Sequence, residues 1–395
     1  MHVLADASMP LVNELADALT AQGVGLTLTT FQGRQPQPEL LAQADALMIR
    51  SITKVDSQLL AQAPKLRWLG TATIGTEHVD TAACKAAGVA FVSTPGVNAN
   101  AVGDYVASAV SNFALQCQQL PSGEVAIIGA GHTGRAAGQR LSGLGFTVHY
   151  YDPPLAEQGV KGVHADWQRV LNSGVISCHV PLTQAGTHAT YHLFDSAAIA
   201  ALPADCLLIN ASRGAVVEEQ GLRQAMQAQQ PLHVVLDVWE HEPTIAADLM
   251  PWLLYATPHI AGHSVAGKVA GTLRLFEHVC ETLLIPQQRV RLPQLSQLLE
   301  HWPEATRKRQ WQTLQAPTWQ MLASWVRDIY DIRNDDQLLR QNAFTEADFD
   351  RLRRNYAARA ELSCGEVHGN DWLAQSEWQE RLAQLTFSFK FIQEQ

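Results

Sequence analysis

Six consecutive residues, Gly129-Ala130-Gly131-His132-Thr133-Gly134, restrict the fold of this chain more than any other feature. They follow the unbroken apolar run Val125-Ala126-Ile127-Ile128 and open a segment whose Ala136, Ala137 and Leu141 suit one helical face. Glycines at this spacing recur by chance, but strand, turn and helix in this order give them a physical meaning. The first glycine permits a tight turn, the second lets backbone approach a pyrophosphate, and the third allows helix and strand to pack closely. Unpaired N–H groups at the helix start then face the phosphates. Roughly twenty residues further on, the distance expected of a ribose-binding acid, the next strand-like run ends at Asp152. A carboxylate there accepts hydrogen bonds from both ribose hydroxyls and repels a 2′-phosphate, so NAD is the expected cofactor rather than NADP.

The strand-helix rhythm extends in both directions. Upstream, Val3–Ala5, Ala46–Ile49 and Leu66–Leu69 read as strands, and Pro10–Ala21 as a helix. A long helix is expected from Asn98 to about Leu120, with Val102, Val106, Ala109, Val110, Phe113 and Ala114 along one face. Downstream come Thr147–Tyr151, Val175–Cys178, Cys206–Ile209 and His233–Leu236, and an apolar run from Trp252 to Ala256. Nearly continuous Val, Ile and Leu mark strands buried on both faces, as in parallel sheets. The expected fold is α/β, with two Rossmann-like, doubly wound parallel-sheet domains. From Pro286 onward the rhythm lapses and Gln and Trp become frequent, which suggests an added helical or mixed module.

Composition excludes several classes. A net charge of −10 argues against nucleic-acid binding, which usually requires a basic face. No run approaches the length of about 18 apolar residues that reads as a membrane span. The first apolar run contains Asp6, unlike a secretory leader, and the six cysteines show neither CxxC nor metal-ligand spacing. No metal site is expected, and a reducing cytoplasm fits best.

In open α/β sheets, ligands bind beyond the carboxyl ends of the strands. Those ends carry His179-Val180-Pro181, Asn210-Ala211-Ser212-Arg213-Gly214, Asp237-Val238-Trp239-Glu240-His241-Glu242-Pro243 and Pro258-His259-Ile260-Ala261-Gly262. An arginine, a carboxylate and a histidine stand out. Oxidation of a 2-hydroxy acid requires a base for the hydroxyl proton, and histidine titrates near neutrality. It also benefits from a cation for the substrate carboxylate, and arginine's planar fork stays charged and binds it bidentately. A glutamate beside the histidine orients the base and supports its protonated form. His241, His263 and His278 compete with His259 on sequence alone, and Arg213 with Glu242 also suits a surface ion pair.

These blocks, in this order, resemble the D-isomer-specific 2-hydroxyacid dehydrogenase family over roughly residues 1–285. The resemblance implies that Arg213 binds substrate, that Glu242 pairs with His259, and that His259 is the acid/base. It implies a discontinuous substrate domain, 1–98 with 260–285, around an NAD-binding domain, 99–259. A narrower likeness rests on Arg50-Ser51-Ile52-Thr53-Lys54-Val55, Gly70–Thr76, Tyr330–Asp336 and Phe349–Tyr356. It points to the branch that oxidises a phosphorylated four-carbon acid in pyridoxal 5′-phosphate (vitamin B6) biosynthesis. That branch implies a C-terminal α+β dimerisation domain, 286–395, and hence a homodimer. By the same likeness Ser51, Thr73 and His263 contact substrate, while Val180, Ala211, Ser212, Arg213, Asp237 and Gly262 contact NAD. Val180 stands where the branch has threonine, and His263 where it has tyrosine. Arg50 is expected to hold the phosphate, with Arg354 or Arg359 of a second subunit, although Arg351, Arg353, Arg354 and Arg359 also suit a solvated basic face. Two other readings stay open here: a relative using 3-phosphoglycerate or glycerate, and a non-catalytic, NAD-sensing co-repressor.

Overall fold

The computed structural model describes every residue except 284–289, 343–344 and 393–395. The expected boundary at 285/286 lies outside the described residues. Contacts divide the chain into two units, Met1–Asn98 with Ser264–Pro303, and Ala99–His263 with Glu304–Gln395. Among the described residues every strand pairing is parallel, and no helix is long and apolar enough to cross a membrane.

In the first unit the strands are β1 (His2–Asp6), β2 (Thr27–Phe31), β3 (Ala46–Ile49), β4 (Trp68–Thr71) and β5 (Ala90–Ser93). They lie in the order β2-β1-β3-β4-β5. The order reverses beside β1 and β3, so the carboxyl end of β3, where Arg50 and Ser51 follow, is a ligand-binding position by topology. β4 begins two residues later than Leu66–Leu69 suggests. Trp68 is fully buried, and its ring crowds Gly70 so closely that a Cβ there would lie 2.3 Å from it. Leu275, on the helix Val265–Leu283, closes the other side.

The second unit contains β6 (Val125–Ile128), β7 (Val148–Tyr151), β8 (Val163–His164), β9 (Val175–Cys178), β10 (Cys206–Asn210), β11 (Leu232–Leu236) and β12 (Tyr255–Ala256). Their order is β12-β11-β10-β9-β6-β7-β8, reversing between β6 and β9. Register, more than order, positions the site. Ile128 pairs with Tyr151 and Cys178, Cys178 with Asn210, Asn210 with Leu236, and Leu236 with Ala256. The last residues of six strands therefore stand level. Each next residue, Gly129, Asp152, His179, Ala211, Asp237 and Thr257, leaves from the same edge.

The helix Ala99–Cys117 is buried on all sides from Ala101 to Ala114, not along one face as its apolar spacing suggests. The reason is residues 304–395. They form β13 (Arg309–Thr313), β14 (Gly365–Gly369) and β15 (Ser388–Phe391), ordered in that sequence, with helices including Trp319–Ile329. Leu322, Trp325, Leu382 and Phe387 share one apolar core with Val106, Phe113 and Leu141. Ser108 Oγ donates to Tyr330 O at 2.7 Å and accepts from Ile332 N at 3.0 Å.

Asp104, on the same helix, accepts from Arg140 Nε at 2.8 Å and from Leu362 N at 2.8 Å. Both side chains are almost fully buried. Arg140 also donates to Gln384 O and Asn100 Oδ1. Removing one member of such a pair strands a buried charge, which typically costs about 3–5 kcal/mol. Asp104→Ala is therefore expected to lose that much unfolding free energy in urea titration. A change under about 1 kcal/mol would mean the guanidinium finds water.

Candidate active site

Asn210 closes an otherwise apolar strand and is fully buried. Its Oδ1 accepts from Ser212 N at 3.2 Å and Ser212 Oγ at 2.8 Å, and its Nδ2 donates to Arg213 O at 3.0 Å. One side chain thus shapes the turn that carries Arg213. The half-buried guanidinium leans back on its own loop, with Nη1 donating to Ser212 O at 2.8 Å. Next comes Gly214, where a Cβ would lie 1.9 Å from Trp239 O and 2.5 Å from Glu240 N. Only glycine lets the loop after β10 approach the loop after β11 so closely.

Asp237 does the equivalent work for the third loop. It is 1 % exposed. Its carboxylate accepts from Thr257 Oγ1 at 2.7 Å, Ile260 N at 2.7 Å and Ala261 N at 3.0 Å. Its carbonyl accepts from His259 N at 2.7 Å. His259 sits at φ 55, a left-handed conformation that costs of order 1–3 kcal/mol and persists only when its surroundings over-determine it. Asp237 supplies much of that determination.

His259 Nδ1 lies 2.7 Å from Glu242 Oε2, and Glu242 Oε1 accepts from Trp239 N at 2.9 Å. Burial pushes the Glu242 carboxyl up, but His259, the Trp239 N–H and the nearby Arg353 together hold it below its ordinary value. A histidine–carboxylate contact alone is not diagnostic: His192–Glu240 and His368–Glu366 are also 2.7 Å, and His188–Glu157 is 2.8 Å. Position distinguishes His259, since it leaves a strand end level with those preceding Arg213 and Asp237. Of its competitors, His241 is exposed, His278 faces Glu281 at 3.7 Å, and His263 stands edge-on to Tyr356 at 5.8 Å.

The nucleotide side of the sheet carries the expected glycine geometry. Gly129 has φ 94 and approaches His179 O, where a Cβ would lie at 2.7 Å. A Cβ on Gly134 would lie 1.9 Å from Gly129 O, whereas one on Gly131 meets nothing within 4 Å. Gly131 caps the helix His132–Leu144 without a side-chain hydrogen bond, so that helix start keeps its N–H groups for a ligand. Asp152 Oδ2 accepts from Ala130 N at 2.9 Å, tying the acid to the glycine turn. An open backbone cradle, an uncapped helix start and an acid beside them fit the pyrophosphate and ribose of NAD. Val180 packs its Cγ1 near Gly129. Ala211 and Gly262 are partly exposed at the strand ends, whereas the Ser212 hydroxyl and the Asp237 carboxylate are committed to their loops.

In the first unit, Ser51 is exposed after β3 and Arg50 is half-buried beside it. Thr73 Oγ1 lies 2.7 Å from Thr71 Oγ1 and donates to Gly75 O at 2.9 Å. One expectation fails. Arg359 does not belong to a solvated basic face and is not available to a second subunit, because it is 6 % exposed and its guanidinium donates to backbone carbonyls of its own chain. Sequence reasoning also missed Asn210 and Trp239 as organisers of the loops that carry Arg213 and Glu242. A lone polar residue ending a buried strand was the available signal for the first.

A nucleotide-binding parallel sheet whose neighbouring strand ends are followed by Arg213, the Glu242–His259 pair and an open glycine turn fits an NAD-dependent 2-hydroxyacid dehydrogenase. Residues 98–261 match the D-isomer specific 2-hydroxyacid dehydrogenase, NAD binding domain, and 304–385 match a domain of unknown function (DUF3410). The fold is shared with NAD-bound 3-phosphoglycerate dehydrogenase from Entamoeba histolytica, at TM-score 0.61 and 19% identity, covering 74% of this chain and 99% of that one. It is also shared with D-lactate dehydrogenase from Aquifex aeolicus, at TM-score 0.54 and 20% identity, covering 72% and 95%. Curated relatives extend over nearly the whole chain. An erythronate-4-phosphate dehydrogenase of Idiomarina loihiensis is 45% identical over 361 residues, 90% of each chain. One of Aeromonas hydrophila is 40% identical over 373 residues, 93% of this chain and 96% of that one. The chain belongs to the erythronate-4-phosphate dehydrogenase family.

Proposed function

We propose that the protein oxidises 4-phospho-D-erythronate to (R)-3-hydroxy-2-oxo-4-phosphooxybutanoate with NAD, a step in pyridoxal 5′-phosphate (vitamin B6) biosynthesis. The observation that carries this reading is the 40–45% identity over nearly the whole chain to erythronate-4-phosphate dehydrogenases, and the 2.7 Å contact of His259 Nδ1 with Glu242 at the strand ends supports its chemistry. With Nδ1 held by the carboxylate, Nε2 is the nitrogen that takes the proton from the substrate's 2-hydroxyl. Glu242 fixes the tautomer and stabilises the imidazolium that results. Arg213 holds the substrate carboxylate and polarises the forming carbonyl. NAD, when bound, supplies the acceptor for the hydride leaving the same carbon.

Ser51, Thr73 and His263 are assigned to substrate contacts and Arg50 to the phosphate, with Arg354, which is exposed, as a second candidate from a partner subunit. Gly129, Gly131, His132, Thr133, Gly134, Asp152, Val180, Ala211, Ser212, Asp237 and Gly262 are assigned to NAD. A cytoplasmic homodimer completes the reading. Six free cysteines support a reducing compartment. Leu314, Leu338 and Phe391, three of the four exposed large apolar residues among those described, lie in the C-terminal segment and support self-association there.

The direct test is NADH formation on adding 4-phosphoerythronate to enzyme and NAD. A strong preference for 3-phosphoglycerate or glycerate overturns the substrate. NAD binding without turnover of any 2-hydroxy acid favours the co-repressor reading. Asp152→Ala is expected to weaken NAD by about 10–100-fold, the range for charge-assisted hydrogen bonds, and to weaken NADP less. Calorimetric titration of both nucleotides checks this, and equal losses would count against the ribose contact.

A further inference from the structure

We propose that Arg359, from the segment matching a domain of unknown function, is a positioning residue that holds the His259 loop in its working conformation. Its Nη2 donates to Ala261 O at 2.7 Å and Ala101 O at 2.8 Å, and its Nη1 reaches Ile260 O at 3.4 Å. The N–H groups of the same two loop residues, Ile260 and Ala261, are taken by the Asp237 carboxylate. The two residues following His259 are therefore gripped from both sides, N–H by an anion and C=O by a cation, and the Ile260–Ala261 peptide lies directly between the two charges. This alignment stabilises both charges and the peptide dipoles between them.

The grip is itself anchored. Arg359 lies over the Tyr330 ring, 4.3 Å from its centroid. Tyr330 and Tyr356 both donate their hydroxyls to Asp335 Oδ2, at 2.8 and 2.7 Å. Tyr356 also packs against His263, four residues past the catalytic base. Arg353, upstream on the same segment, contributes to keeping Glu242 ionised. The stretch 353–359 thus acts at three points of the catalytic loops, although it lies outside the 98–261 match shared with other 2-hydroxyacid dehydrogenases. A left-handed His259 needs determination from several directions, and a displacement of about 1 Å at a reacting group can cost 100-fold. The inference rests on His259 being the acid/base.

The test compares Arg359→Met, which keeps length and loses every donor, with Arg359→Lys, which keeps the charge and part of the donation. For Arg359→Met, kcat is expected to fall by about 10–100-fold, with NAD affinity within about twofold. The primary deuterium isotope effect on kcat should rise as chemistry becomes limiting. Arg359→Lys should recover part of each change. Independently of any substrate, hydrogen exchange of the peptide spanning 257–266 should quicken in both variants while that spanning 129–134 does not. If Arg359→Met fails to fold, Arg359→Lys and Tyr356→Phe carry the same measurements. Normal kcat, isotope effect and exchange in a folded Arg359 variant overturn the proposal. Absence of turnover by the unaltered enzyme counts against the substrate reading only, and the exchange result then decides the grip alone.

Discussion

His259→Ala is expected to lower kcat for 4-phosphoerythronate oxidation by about 10²–10⁴-fold, the usual loss when a general acid/base is removed. Affinity for NAD should stay within about twofold, because the glycine turn at 129–134 and Asp152 are organised by other strand ends and make no use of the imidazole. Glu242→Gln should be milder. Glutamine keeps an oxygen to accept from the imidazole but lacks the charge that supports the protonated form. The native carboxyl is held below its ordinary value despite its burial, so it stays ionised across the working range and its charge is available to lose. Steady-state rates with single-turnover measurements separate chemistry from product release. A His259→Ala enzyme with near-normal single-turnover rate would show that another group takes the proton.

Gly214→Ala should be nearly as damaging although the residue touches no reactant. The added methyl must displace Trp239 O, 1.9 Å away, or the chain at Glu240. Neither is the end of a flexible side chain. The loop carrying Arg213 and the loop carrying Glu242 are forced apart, and misplacement on the scale of 1 Å costs about 100-fold. The expected result is a loss of about that size or more in kcat/KM. Overpacking typically adds a stability cost of about 1–3 kcal/mol, so a thermal melt must accompany the kinetics. A folded variant with unchanged kcat/KM would mean the 239–240 backbone yields without disturbing Arg213.

Much of this arrangement is legible in the amino-acid order itself. Strands such as Val125–Ile128 and Val175–Cys178 are buried on both faces, so burial writes itself into composition. The residues after them inherit a meaning from topology, which is why Arg213, Glu242 and His259 stand out. The missed elements share a different physics. β2, Thr-Leu-Thr-Thr-Phe, lies at a sheet edge and is only partly covered. β13, Arg-Gln-Trp-Gln-Thr, alternates half-buried and exposed side chains and reads as polar chain. Arg359 failed for a related reason. In sequence it is one of four nearby arginines, and nothing local says which of them will meet buried carbonyls. Arg351 and Arg354 stay in solvent while Arg359 turns inward.

The helix Ala99–Cys117, enclosed on every side from Ala101 to Ala114, limits how this enzyme can be cut down. Ending the chain before residue 304 would strip Leu322 and Trp325 from the core they share with Val106 and Phe113 and would leave Ser108 without the Tyr330 and Ile332 backbone groups it bonds. What remained would have the outline of a minimal dehydrogenase but a broad greasy flank, prone to clump. Separating the tail from catalysis therefore calls for point substitutions rather than scissors.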